Sequence, residues 1–202
     1  MTDLFTEPDG ATPLDEEDIR GLLRTDIALR PELNLAEAEN IASAQSWAFS
    51  RPRALAQLLT RAAMQELHRR MFGDVWRWAG TIRGRQTNIG SLPYVVATDL
   101  ENLLLDVRTQ IADPARPAWP PDELVVRFHH RLVSIHPFPT GNGRHARLAA
   151  DLLVVRLGRR RFTWGSAGDL TDDTTARTRY LDALRVADRE YRYESLLEFS
   201  RS

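Results

Sequence analysis

Apolar residues recur every three or four positions through most of the chain, and this spacing predicts amphipathic helices. The clearest example covers residues 53–72, and we expect His68 within it to lie on the surface. Further helices are predicted over residues 15–30, 34–49, 98–111, 122–135, 169–188 and 193–199, and another begins near Asn142. A chain built almost entirely from such segments is predicted to be all-α.

The period changes between Thr81 and Val96, where glycines and a proline separate short β-prone stretches. Residues 87–89 and 93–96 predict the two strands of a small β-hairpin. This hairpin is the one departure from the helical pattern.

The chain divides into two unequal parts. Residues 1–14 are polar and contain turn-forming prolines and a glycine, so we expect a loose leader, which with the first helix makes up residues 1–30. Residues 31–202 are predicted to form one compact domain with the N-terminal helices packed on it. No repeat or low-complexity tract indicates a second domain.

Composition narrows the class of protein. With 202 residues, of which 43% are hydrophobic, the chain can bury one core as a soluble globular domain. A formal net charge of −1 argues against binding of nucleic acid through bulk charge. The absence of cysteine excludes disulfides and fits the cytoplasm. We expect no signal peptide, membrane span or membrane partner, because the chain has no basic-apolar leader and no long apolar run.

The candidate chemistry lies in residues 136–147, where a Gly-Asn-Gly turn joins two helices. Gly141 and Gly143 permit backbone conformations that bring a ligand close to the main chain. The following helix directs its unpaired N–H groups and the positive end of its dipole into the same space, which favours an anion. Arg144 and Arg147 are three residues apart and can together bind several phosphate oxygens.

A titratable group completes this arrangement. His136 ends the preceding helix, and its ordinary pKa of about 6.5 suits a group that takes a proton from a hydroxyl. Taken singly, a helix-end histidine, a glycine turn and a pair of helical arginines are more often structural. Together within twelve residues they predict a phosphate site with a base beside it.

This run resembles the signature of the Fic (filamentation induced by cAMP) domain family, His-x-Phe-x-(Asp/Glu)-Gly-Asn-Gly-Arg-x-x-Arg. Every fixed position matches except Thr140, where most members carry the acidic residue that holds magnesium. Within the family, the run and its flanks most resemble the group labelled mobile mystery protein B, in which that position is also commonly neutral. The matching residues are His136, Phe138, Gly141, Asn142, Gly143, Arg144 and Arg147.

The resemblance implies a Fic-like helical bundle with the hairpin as a flap. It also implies transfer of AMP, or another phosphate-containing moiety of a nucleotide, from ATP onto a Ser, Thr or Tyr hydroxyl of a protein. His136 would deprotonate the hydroxyl, and the N–H groups of residues 141–143 would hold the α-phosphate region. Arg144 and Arg147 would hold the outer phosphates, while Phe138 would anchor the loop.

The flap carries a second implication. In Fic proteins the corresponding segment docks an extended chain of the target beside the catalytic histidine, through backbone pairing at an exposed strand edge. The residues that would do so here are Asn88, Ile89, Tyr94 and Val95. An ordinary hairpin without this role is the alternative.

The resemblance has a third implication, which concerns the N-terminal region. Many Fic proteins have an autoinhibitory helix, patterned Ser/Thr-x-x-x-Glu-Gly/Asn, whose glutamate binds the second motif arginine and displaces the γ-phosphate. Glu39 and Asn40 match, whereas Leu35 replaces the Ser/Thr. A carboxylate on Arg147 would compete with phosphate for the same donors. The alternative is that Glu39 only stabilises the start of its helix.

Thr140 leaves two hypotheses open. In the first, the chain is a protein adenylyltransferase-like enzyme whose Mg²⁺ is weakly or differently held, because a threonine hydroxyl brings no negative charge. In the second, it is a catalytically weak or inactive nucleotide-binding regulatory or interaction module. Fic proteins often belong to toxin–antitoxin systems, but these residues identify neither an antitoxin partner nor an oligomeric state.

Overall fold

Helices account for most of the residues that the structure, a computed structural model, describes: 12–51, 54–112, 118–165, 170 and 175–202. In these ranges there is no strand, and an isolated antiparallel bridge joins Leu22 to Trp76. The all-α prediction is therefore confirmed. The helices are α1 (Glu16–Arg20), α2 (Arg30–Ser50), α3 (Leu55–Leu58), α4 (Arg61–Phe72), α5 (Val96–Ala112), α6 (Pro121–Ile135), α7 (Asn142–Arg156), α8 (Thr175–Glu190) and α9 (Glu194–Arg201).

The motif lies between the two central helices, α6 and α7. α7 is apolar around most of its circumference, which is expected of a helix that neighbours cover on several sides. Its buried apolar residues are Ala146, Leu148, Ala149, Ala150, Leu152, Leu153 and Val154. α6 contributes Leu124, Val125, Val126, Phe128, Leu132 and Ile135 to the same core. The loop between these helices is therefore fixed at both ends.

The predicted helix over residues 53–72 is two helices, α3 and α4. The break falls at Thr60, whose side chain accepts a hydrogen bond of 3.1 Å from the backbone N–H of Ala63 and so caps the start of α4. Hydrophobic spacing continues through this break, which is why the periodicity alone predicts one helix. Residues 52 and 53 lie outside the described residues.

The first predicted helix, over residues 15–30, is also too long. α1 ends after Arg20, because the indole of Trp78 packs directly against Gly21. A Cβ at Gly21 would lie 2.4 Å from Trp78 Cδ1, and the Trp78 indole N–H donates to the carbonyl of Asp18 at 3.0 Å. α1 is thus a short turn of helix that is attached to the rest of the molecule.

The predicted hairpin is a loop. Residues 81–95 contain no strand, and Val96 already begins α5. Polar groups of this loop are satisfied locally instead of across two strands: Arg83 donates to the carbonyls of Arg85 and Ser91. The side chain of Thr87 donates to the carbonyl of Ile89 at 2.6 Å. The β-prone residue types do not reveal this arginine-centred arrangement.

The C-terminal helices follow their predictions closely. α8 begins at Thr175 and α9 ends at Arg201, while residues 166–169 and 171–174, where the first of them was predicted to begin, lie outside the described residues. Within the described ranges, no helix combines the length and the apolar character that a membrane crossing requires.

Buried imidazoles make the fold sensitive to acid. Burial lowers the pKa of His129 to about 3 and the pKa values of His136 and His145 to about 4, from an ordinary value of 6.5. It also lowers the pKa of His68 and of His130. An unfolded chain therefore binds these protons before the folded chain does, so the free energy of unfolding falls as the pH drops below 6.5.

We expect the free energy of unfolding to decrease by at least about 2 kcal/mol between pH 7.5 and about pH 5.5. Each of His129, His136 and His145 contributes a loss of about 1 kcal/mol at the lower pH. The raised pKa values of Asp18 and Asp151, caused by burial, act in the opposite direction. Urea unfolding at the two pH values measures the difference, and equal free energies would contradict the expectation.

Candidate functional site

His136 ends α6 in an unusual backbone conformation. Its φ of 56° and ψ of 61° lie in the left-handed region, which is rare for a residue with a side chain, and its N–H closes the helix onto the carbonyl of Leu132 at 3.2 Å. The residue is only 4% exposed. The chain thus turns sharply at His136 and places the imidazole inside the protein.

The contacts of the imidazole determine its tautomer. Nδ1 lies 3.4 Å from the carbonyl oxygen of Val133, which can only accept a hydrogen bond, so Nδ1 carries the proton. Nε2 then presents its lone pair, and it lies 2.6 Å from the hydroxyl oxygen of Thr12. This hydroxyl donates to Nε2, which is the relation of a hydroxyl to a general base.

Burial keeps this ring neutral. It lowers the pKa of His136 to about 4, and the cationic side chains of Arg83 and Arg85 lower the pKa further, while the carbonyl of Val133 opposes the shift. The proton-accepting form is therefore the dominant form at neutral pH.

Arg83, which the sequence does not single out, holds the histidine loop in place. Its Nε donates to the carbonyl of His136 at 2.6 Å, and its backbone N–H donates to the carbonyl of Pro137 at 3.0 Å. The residue is 3% exposed. Gly90 closes the same region, since a Cβ there would lie 2.6 Å from Arg83 Nη2 and 2.7 Å from His136 Cβ. Loop 81–95 is thus packed directly beside the imidazole.

The Gly-Asn-Gly turn is rigid. Asn142 and Phe138 exchange two hydrogen bonds, from the Phe138 N–H to Oδ1 at 2.9 Å and from Nδ2 to the Phe138 carbonyl at 2.8 Å. Gly141 has a φ of 75°, and a Cβ on it would lie 2.5 Å from the ring of Phe72. The first N–H groups of α7 follow directly, and groups at this position have no partner within their helix.

Phe138 is held by two histidine rings. It stacks on His68 at 3.9 Å between ring centroids and meets His145 edge-on at 4.9 Å. The expected surface position of His68 is wrong, because its side chain is fully buried. The N–H of Gly80 donates to His68 Nδ1 at 2.9 Å, so the opposite nitrogen carries the proton and donates to the carbonyl of Thr140 at 3.1 Å. His68 is thus a core residue, and both of its ring nitrogens have hydrogen-bond partners.

The two motif arginines, Arg144 and Arg147, are partly buried. Arg144 forms an ion pair of 2.7 Å with Glu37, and its side chain is 22% exposed. Arg147 lies over the ring of Tyr180, 5.3 Å from its centroid, and its Nη1 comes within 3.7 Å of the position of a Cβ on Gly143. The guanidinium of Arg147 therefore reaches back along α7 toward the glycine turn.

Comparison with known proteins identifies this arrangement. Residues 58–154, which include the whole of the motif, match the model of the Fic/DOC family. The matched segment, residues 58–154, is a Fic domain.

Curated relatives support this assignment. Protein adenylyltransferase fic-1 of Caenorhabditis briggsae is 36% identical over 94 residues, and its counterpart in Caenorhabditis elegans is 35% identical over 94 residues. In both cases the match covers 46% of this chain and 18% of the relative. The chain thus spans less than a fifth of the length of these proteins.

Solved structures share the fold of this Fic domain. Fic-1 from C. elegans superposes with a TM-score of 0.63 and 23% identity, covering 93% of this chain and 54% of that chain. BepC from Bartonella tribocorum, a translocated effector protein with bound AMPPNP, superposes with a TM-score of 0.68 and 15% identity, covering 96% and 93%.

A carboxylate does reach a motif arginine of the Fic domain, but it belongs to Glu37. Its other oxygen accepts the indole N–H of Trp76 at 2.6 Å, and its side chain is 4% exposed. Glu39, which the sequence pattern favours, is exposed to solvent. Two residues that are two positions apart on a helix do not share a face, so both cannot point at the motif.

Asn40, the other residue of the predicted inhibitory pattern, joins α2 to the end of α4. Its side chain is buried between α2 and the end of α4, where Nδ2 donates to the carbonyl of Arg70 at 3.0 Å and Oδ1 accepts the N–H of Asp74 at 3.0 Å. These bonds fix the helix that carries Glu37.

Thr140 is half-buried. Across the described residues, no group of three or more His, Asp or Glu side chains is placed to hold a metal ion. Magnesium favours carboxylate ligands together with phosphate oxygens. Residue 140 therefore offers a magnesium ion no carboxylate ligand.

The residues predicted to dock a target lie along the loop beside His136. Asn88, Ile89 and Tyr94 are exposed, and Val95 is half-buried. The N–H of Ser91 donates to the carbonyl of Ile135 at 3.2 Å, which joins this loop to the end of α6. Several side chains of the loop thus face solvent, while its backbone is fixed against the end of α6.

Proposed function

We propose that this Fic domain transfers AMP from ATP onto the hydroxyl of a Ser, Thr or Tyr residue of a protein. The observation that supports this most directly is the pairing of a hydroxyl with the unprotonated nitrogen of the neutral, buried His136. That imidazole is five residues from the glycine turn that opens α7. A base and an anion site on one rigid loop suit transfer of a phosphate group to a hydroxyl.

In the proposed reaction, each of these groups has one role. His136 Nε2 takes the proton of the acceptor hydroxyl, and the hydroxyl oxygen bonds to the α-phosphorus. The bond from that phosphorus to the bridging oxygen of the β-phosphate breaks, and pyrophosphate leaves. The N–H groups of residues 141–143 hold the α-phosphate, and Arg144 and Arg147 hold the outer phosphates. Positioning and charge stabilisation of this kind provide most of the catalysis in phosphoryl transfer.

Relatives support the choice of nucleotide and acceptor. Those of C. briggsae and C. elegans are named protein adenylyltransferases. BepC holds AMPPNP, and a Fic domain from Bartonella quintana with the same fold holds ADP.

We further propose that loop 81–95 receives the target chain. Ile89 is 44% exposed and Tyr94 is 79% exposed, so they offer apolar surface next to His136. Since the described loop has no strand, side-chain contacts take the place of the backbone pairing that a hairpin would provide.

A nucleotide-binding module without turnover is the second candidate. Thr140 favours it, because the site lacks the carboxylate that would hold magnesium against the phosphates. In that case the protein binds ATP and no group is transferred.

The proposal predicts that His136→Ala abolishes transfer. With ATP labelled at the α-phosphate, we expect the label on protein to fall by at least about a hundredfold, because the general base is lost. His130→Gln is the matched control, since His130 lies on the same helix and bonds Asp188 away from the motif. Label from the γ-phosphate should not be transferred. Calorimetric binding of ATP without transfer by the wild type would favour the second candidate.

Glu37 is proposed to restrain the site. Glu37→Gln keeps an oxygen for the indole of Trp76 but removes the charge that occupies Arg144, so we expect about tenfold tighter ATP binding by calorimetry. Glu39→Gln, at an exposed position on the same helix, should change nothing. Equal affinities for all three proteins would rule out the restraint, and tighter binding by Glu39→Gln alone would assign it to Glu39.

Thr140→Asp tests the missing metal ligand. Without magnesium, we expect the added carboxylate to weaken ATP binding through repulsion of the phosphates. With magnesium, it should tighten binding by about tenfold relative to the metal-free measurement. Thr140→Asn has the same shape without the charge and should show no such gain. A magnesium response that is the same for both variants would argue against a metal position at residue 140.

A further inference from the structure

The hydroxyl that contacts His136 belongs to the chain itself. Thr12 Oγ1 lies 2.6 Å from Nε2, within the range expected between a general base and the group that it deprotonates. Thr12 is 6% exposed and His136 is 4% exposed, so the pair is shielded from solvent. An acceptor hydroxyl would occupy this same position relative to the imidazole.

Thr12 is held there by contacts on the residues that follow it. Arg85 donates to the carbonyl of Pro13 at 3.3 Å and forms ion pairs with Asp15, at 2.9 Å, and with Asp18. Leu14 lies in the hydrophobic core with 9% exposure. Because Arg85 belongs to the loop beside His136, the segment and the site are fixed to each other.

We propose that Thr12 is a self-modification site, at which the domain attaches AMP to its own chain. This inference rests on the proposed function, since it needs the same nucleotide and the same base. It adds the identity of one acceptor, which is a threonine within the same molecule.

The chemical step uses only the Thr12 hydroxyl, the His136 imidazole and ATP. The proton of the Thr12 hydroxyl passes to His136 Nε2, and Thr12 Oγ1 bonds to the α-phosphorus of ATP. The bond to the β-phosphate oxygen breaks, and pyrophosphate leaves with the electron pair. The product is a phosphodiester between Thr12 and adenosine.

The same contact limits other acceptors. Nε2 has one lone pair, so a hydroxyl of a separate protein reaches it only after Thr12 has moved away. Self-modification and transfer to a target therefore compete for one nitrogen atom.

Peptide mapping after incubation of the full chain with α-labelled ATP tests this. We expect one AMP group on Thr12, retained in Thr12→Ser and reduced at least tenfold in Thr12→Val, which keeps the shape without the hydroxyl. Thr109→Val is the matched control, because Thr109 is exposed on α5, and it should label as the wild type does. The labelled fraction at a given time should not change on dilution, because acceptor and base lie in one molecule.

Transfer to proteins of a cell lysate is measured in the same samples. Label on lysate proteins with none on Thr12 would overturn the inference and leave the proposed function standing. Label on the chain that persists in Thr12→Val, or that grows with protein concentration, would also overturn it. If no acceptor of any kind is labelled, both proposals fail.

Discussion

The loop between α6 and α7 depends on the pair of hydrogen bonds between Asn142 and Phe138. A buried polar side chain is costly unless its groups are paired, and here the amide pairs with both backbone groups of one residue. The Phe138 ring is in turn held between His68 and His145. With His136 at one end and α7 at the other, this loop fixes the imidazole relative to the N-terminus of α7. The side-chain amide of Asn142 is thus committed to the structure of the loop.

Charge in the site is arranged around a neutral imidazole. Arg83 is buried against carbonyl oxygens of residues 85, 91, 135 and 136, so its charge is satisfied without a carboxylate. That cation and Arg85 disfavour a proton on His136, in the same direction as burial. A ring with so low a pKa is a weak base, but it is in its accepting form at neutral pH. Charge that develops on a transferred phosphate would meet N–H groups and guanidinium groups that are already in place.

Sequence reasoning reached the all-α class, the central helices and the motif, because hydrophobic period and glycine spacing are local signals. It missed contacts that join distant segments. Glu37 and Glu39 are equally acidic in sequence, and only the rotation of α2 against α7 decides which one meets Arg144. His68 was assigned to the surface because helical spacing cannot show the Gly80 N–H and the Thr140 carbonyl that satisfy it. Thr12 lies in a stretch that is expected to be a loose leader. Its neighbours Pro13, Asp15 and Asp18 are bound by Arg85, and this contact cannot be read from the sequence.

Two segments of the chain's own N-terminal region contact the proposed site. Glu37 forms an ion pair with Arg144, a proposed phosphate ligand, and Thr12 contacts His136, the proposed base. Each contact mimics a part of the reaction that the site would carry out, because a carboxylate resembles a phosphate oxygen and a threonine resembles an acceptor. The two contacts arise from separate segments, α2 and the residues before α1, so neither requires the other to move. A nucleotide whose phosphates bind Arg144, as proposed, displaces Glu37 and then meets a hydroxyl that is already in contact with His136. Modification within the chain is therefore the reaction that needs the fewest rearrangements, and a foreign target has to remove one more contact than the chain's own threonine.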